Sequence, residues 1–237
     1  MSEEDVVGNG IVVGLAVSGL ASGLLVCAVM DPRLPHADSY TGIIFGVFLA
    51  VPLLLYELLD QYWKAAGLVV VTTLAYPISV IAAMWFQMGF PRVGVRGSLG
   101  TDDLPAPITL AVGGAIGGAI VFMAVAFFCR RARGQSRAGM VLRGALAGGV
   151  LGFTAWILRS SVGVVLWHIF NRLGMVPSWS GSSPREWIGG VDDYGRLART
   201  YALYVTWQTG VATAIGFALR RVGNIRKESA NLLSSHD

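Results

Sequence analysis

Glycine recurs at Gly144, Gly148 and Gly152, inside a run from Gly144 to Leu158 that carries no charge, and Arg130, Arg131, Arg133 and Arg137 stand just ahead of it. Helical residues four apart share a face. The three glycines therefore line one side of an apolar helix, and in a bilayer such small-residue faces let two helices approach closely. The arginines complete the pattern, because basic clusters beside apolar spans mark the cytoplasmic side of a membrane.

The rest of the chain repeats this grammar. It has 237 residues, 54% hydrophobic and only 14% charged, more apolar material than a soluble domain of that length can hide. A helix needs about 20 residues to cross a hydrocarbon core of roughly 30 Å. Apolar runs near that length fall at 11–30, 42–59, 65–86, 108–129, 141–161 and 200–219. The expected fold is all-α, a polytopic transmembrane bundle of about six spans. Residues 1–10 and 220–237 form the tails, and 11–219 form one membrane domain.

Several features specify the spans further. The first carries Gly19 and Gly23, and the fourth carries Gly113, Gly114, Gly117 and Gly118, so both helices have faces built for close approach. Pro52 and Pro77 interrupt the second and third, and each removes a backbone hydrogen bond, so kinks are expected there. The charge-free core of the fifth span is short, and snorkelling of Arg143 and Arg159 would extend it. Beyond it, Val162, Val165, Leu166, Ile169, Phe170 and Leu173 fall on one face while Ser161, His168, Asn171 and Arg172 fall on the other. Too short to cross, this segment reads as an interfacial amphipathic helix. The polar stretch 175–199 reads as a loop.

Tight basic clusters follow the fourth and sixth spans, which places both termini in the cytoplasm of a cell membrane. The first residues include Glu3, Glu4 and Asp5 and no basic residue, unlike a signal peptide, so the first span is expected to be retained. Leu15 to Val26 with Gly19 and Gly23 aligns with Leu110 to Val121 with Gly114 and Gly118, and Gly42 and Gly46 align with Gly144 and Gly148. Such text would describe an inverted three-plus-three repeat, a transporter habit. Chance likeness of glycine-rich apolar segments is the alternative.

Chemistry is sparse. His36, His168 and His236 are too scattered for a metal site, and no cofactor motif is present. Ser161 and His168 stand about 10 Å apart along a helix, too far to act as nucleophile and base. Asp102, Asp103, Asp192 and Asp193 read as solvated loop acids, and the basic residues lack the polar face that nucleic-acid binding needs. Acids and bases are nearly absent at mid-membrane depth, which disfavours proton-coupled pumping.

What remains at mid-depth is a set of neutral polar groups, Thr72, Thr73, Tyr76, Thr154 and Gln208, which could contact a solute or hold helices together. The helix-packing positions are Gly19, Gly23, Gly113, Gly117, Gly144, Gly148 and Gly152. The leading expectation is a non-catalytic protein that binds or passes a small, mostly neutral solute. An accessory subunit, whose glycine faces dock on partner helices of a homo-oligomer or membrane complex, is the second reading, and an intramembrane enzyme the third. Glycines turned inward favour the first; glycines turned to lipid favour the second.

Overall fold

In the computed structural model, which describes residues 3–29, 37–89, 106–130, 132, 135–158, 161–173 and 201–220, the chain is an all-α polytopic helical bundle. Its described helices are α1 (Glu3–Val29), α2 (Ala37–Leu55), α3 (Tyr62–Gly89), α4 (Ala106–Phe128), α5 (Arg137–Leu158) and α6 (Val162–Arg172), followed by α7 (Tyr201–Arg220). Five of them, α1, α3, α4, α5 and α7, contain stretches long and apolar enough to cross a membrane. The apolar part of α2, Tyr40–Leu55, is shorter. At 1.5 Å per residue it reaches about 24 Å.

Packing partners give the direction of each helix. Gly8 lies beside Arg220 and Gly216 beside Val12, so α1 and α7 are antiparallel. The same crossing pattern joins α1 to α2, where Tyr56 Oη donates to the Gly10 carbonyl at 2.8 Å and Ser18 Oγ donates to the Phe48 carbonyl. Gly42 meets Thr73 between α2 and α3, and Gly113 meets Ala83 between α3 and α4. Among α1 to α6 the most extensive pairing is α4 with α5, where Gly118 faces Gly144 and Gly152 faces Leu110. Helices α1, α3 and α5 thus point one way and α2, α4 and α7 the other. The start of α1 and the end of α7 share one end of the bundle.

Local chemistry explains where helices start and stop. Ser136 caps α5, its Oγ accepting from the Gly139 backbone N–H at 3.3 Å, the third helical position. Helix α2 stops because Glu57 takes a left-handed φ of 55°. Around it Leu58 N–H donates to the Leu53 carbonyl and Glu57 N–H to the Leu54 carbonyl, the two bonds of a Schellman termination. Leu58 and Leu59, which the hydropathy pattern assigns to the second span, are instead buried in the connection, where the Leu58 carbonyl accepts from Arg130 N–H at 2.9 Å. At the other terminus the correction is opposite: α1 begins at Glu3, so most of the expected tail 1–10 is helix.

Both prolines lie within continuous helices. Pro52 cannot donate to the Phe48 carbonyl, and this is the carbonyl that Ser18 Oγ reaches from α1. A backbone group freed inside a membrane protein must find a partner from protein. Here the partner is a neighbouring helix.

Outer surfaces are apolar. On α5, Leu142, Leu146, Val150, Phe153 and Ile157 make an exposed ridge while Gly144, Gly148 and Gly152 are buried. A water-soluble monomer would not leave such a ridge open; lipid tails cover it at no cost. Along α6 and the turn that follows it the apolar face is divided, with Leu166 and Phe170 buried against the bundle and Val165, Ile169 and Leu173 turned outward.

The repeat suggested by the aligned glycines is not carried into packing. In the second half Gly114 faces Gly148 and Gly118 faces Gly144. Their counterparts do not meet: Gly19 and Gly23 face α7, and Gly42 and Gly46 face α3. The glycine text is shared, yet the two halves use it for different neighbours.

Candidate functional site

A buried amide stands at the centre of the bundle. Gln208 on α7 is fully buried and accepts at Oε1 from Ser22 Oγ of α1, while its Nε2 donates to Tyr76 Oη of α3 at 2.9 Å. Three helices meet in that chain of bonds. Each of these side chains would be costly to bury unpaired, so together they fix the registers of α1, α3 and α7. Phe45 of α2 closes the group with its ring, 6.5 Å from Tyr76 and 5.7 Å from Trp207.

The five neutral polar residues expected at mid-depth do not form one site. Tyr76 and Gln208 are bonded to each other. Thr72 and Thr73 turn back on their own helix, Thr72 Oγ1 donating to the Leu68 and Val69 carbonyls and Thr73 Oγ1 to Val69 at 2.7 Å. Threonine at these positions is tied to the preceding turn. Thr154, half-buried on α5, is not a hydrogen-bonding partner of Gln208. Ser22 was not among the expected residues, although it shares the buried face of α1 with Ser18, Gly19 and Gly23 and so stood in view.

Beside the amide, α3, α4 and α7 line a partly open cavity of about 120 Å³. Its walls come from Tyr76, Val80 and Ala83 of α3, from the Gly113–Gly114 pair and Leu110 of α4, and from Tyr204 and Trp207 of α7, with Ser79, Thr109 and Leu203 completing it. Glycine makes the space. A Cβ on Gly113 would stand 3.2 Å from Ala83 Cβ, and one on Gly117, just below, would stand 3.1 Å from the Trp207 ring. Tyr76 and Trp207 rings stack edge-on at 5.4 Å, and Tyr76 and Tyr204 lie 6.5 Å apart. No acid, base or histidine occurs among the described lining residues.

The glycines singled out by spacing all face other helices. A Cβ on Gly19 would lie 2.6 Å from the Gln208 carbonyl oxygen and one on Gly23 would lie 2.8 Å from Val205 Cα. A Cβ on Gly144, Gly148 or Gly152 would overlap the carbonyl oxygen of Gly118, Gly114 or Leu110, respectively, and one on Gly117 would meet Ser79 Oγ at 2.6 Å.

Other candidates stay apart. Cys27 and Cys129 are both buried and free. Among the described residues no three His, Cys, Asp or Glu side chains gather where they could hold a metal ion. Ser161 Oγ donates to the Leu158 carbonyl at 3.3 Å, a turn-closing bond. His36, the four loop aspartates, Arg159 and the polar stretch 175–199 lie outside the described residues.

At the end of the bundle where α1 starts, polar contacts bind the helix ends together. Arg143 donates to Gln135 Oε1 at 2.9 Å, and Gln135 Nε2 donates to the Ala218 carbonyl at 3.0 Å. Lys64, nearly buried, pairs with Asp60 one turn away. This is the end at which the described arginines 130, 137, 143 and 220 gather. Comparison with protein-family models, curated proteins and solved structures returns no match, so the site is interpreted from its own geometry.

Proposed function

We propose that this multi-pass membrane protein is non-catalytic and binds or passes a small, uncharged solute in the cavity between α3, α4 and α7. The cavity itself carries the reading: it is a partly open hollow beside a buried neutral network, and no charged side chain lies among its described lining residues. Binding pockets are concave, mostly apolar and few per protein. The glycine faces point in the same direction of argument, because those named above are occupied by helices of this chain and are not left open for a partner subunit. With no acid or base at the cavity wall, binding should vary little between about pH 6 and 8, where unperturbed carboxylates and tyrosines do not titrate.

A panel of charged and uncharged small molecules tests this on the full chain in lipid nanodiscs, by thermal protection and by flux into proteoliposomes. Uncharged molecules should protect the wild type and lose that effect in Ala83→Leu, which fills the cavity. Equal protection of both proteins would remove the cavity from consideration and leave the accessory-subunit reading.

The arginine-rich end of the bundle supports a cytoplasmic placement for both termini. A C-terminal fluorescent fusion should then be bright and alkaline phosphatase inserted near Ser182 active; the reverse pattern overturns the orientation.

A further inference from the structure

Taking the cavity as a binding site, we infer that its ligand is a compact hydrocarbon group about the size of a benzene ring, entering from the bilayer. A polar solute is the wrong partner because the wall is almost wholly apolar. Two of the polar side chains that line it already spend their hydroxyls on other groups. Ser79 Oγ donates to the Ala75 carbonyl, and Tyr76 Oη accepts from Gln208. The Trp207 indole N–H is buried without a partner. Its nitrogen lies 3.3 Å from the place where a Cβ on Gly114 would stand. A solute that needs hydrogen bonds would leave them in water and find few here.

Size and position narrow the class. An apolar cavity of about 150 Å³ stays dry and takes up benzene, and this one, at about 120 Å³, has room for a similar or slightly smaller group. Tyr76, Tyr204 and Trp207 are among its lining residues, and aromatic side chains pack well against flat or slender hydrocarbon. Val80, at its edge, is 37% exposed on a helix long and apolar enough to span a membrane, so the cavity borders the lipid side. The occupant is a small free aromatic or the terminal part of a lipid acyl chain, which share this chemistry.

Toluene serves as the apolar probe, with glycerol and urea as small polar probes, added to the full-length protein in phosphatidylcholine nanodiscs. Toluene should raise the melting temperature of the wild type by several degrees at saturation, as a ligand of the native state does. The rise should vanish in Ala83→Leu, and glycerol and urea should do nothing that distinguishes the two proteins. Val80→Phe, which blocks the edge without entering the packed interior, provides a second variant and should lose the same response. Protection of the wild type alone by glycerol or urea, without toluene, would overturn the hydrocarbon inference while leaving a binding cavity. If no probe separates wild type from either variant, the binding reading falls as well.

Phosphatidylcholine brominated near the chain terminus then separates the sources. Extra quenching of wild type over Trp207→Phe, relieved by toluene, assigns the occupant to an acyl tail. Toluene protection without that quenching assigns it to a free molecule.

Discussion

Serine at position 18 offers a sharp test of how this bundle handles its prolines. Pro52 deprives the Phe48 carbonyl of its helical donor, and Ser18 Oγ supplies the replacement from α1. Interhelical hydrogen bonds in membrane proteins average only about 0.6 kcal/mol, with a maximum near 1.7, because separated helices satisfy their own groups. That excuse fails for Phe48, whose carbonyl lacks its helical donor even when α2 stands alone. The bond should therefore lie near the top of the range, and Ser18→Ala should cost about 1.5 kcal/mol. In a Pro52→Ala background residue 52 regains its N–H, the Phe48 carbonyl is satisfied within α2, and the same Ser18→Ala change should cost only about 0.5 kcal/mol. The coupling is then about 1 kcal/mol. Reversible unfolding of all four proteins in mixed micelles, with denaturing detergent as the perturbant, measures it as a double-mutant cycle. Additivity to within about 0.3 kcal/mol would refute the idea that serine replaces the missing donor.

Three further outcomes follow from named contacts. Gly148→Leu should destabilise the protein by about 1 to 3 kcal/mol or prevent folding, because its side chain would meet the Gly114 carbonyl and the Gly118 backbone; Val150→Leu, on the exposed ridge at 65% exposure, should be neutral. Wild-type melting by both would show that the glycine face is not a packing surface. Glu57→Gly should stabilise by about 0.5 to 1 kcal/mol, since glycine holds the left-handed φ of 55° without strain, and an unchanged or lower melting temperature contradicts that account of how α2 ends. Gln208→Leu should cost about 1 to 3 kcal/mol by removing the amide that pairs with the Ser22 and Tyr76 hydroxyls; unaltered stability would mean that the amide is not holding these helices.

Composition and block length were enough to identify a helical membrane bundle, because hydropathy is a local property and a span must be apolar along its own length. Glycine spacing was equally informative about which faces need room, since a four-residue period is set by helix geometry within one segment. Neither says which helix fills that room. Gly19 and Gly114 stand in the same text, yet one meets α7 and the other α5. The early end of α2 was hidden for a related reason: Leu58 and Leu59 are as apolar as the helix before them, and only the left-handed Glu57 with the Leu58 to Arg130 bond shows them leaving it. Tyr76 and Gln208 could be nominated from their polarity and depth, whereas Ser22 joins them only when α1 packs against α7. The cavity is more distant still from the linear pattern. It arises from side chains on three helices that fail to fill the space between them, and a shortage of volume at a three-helix junction has no signature along any one of the segments that create it.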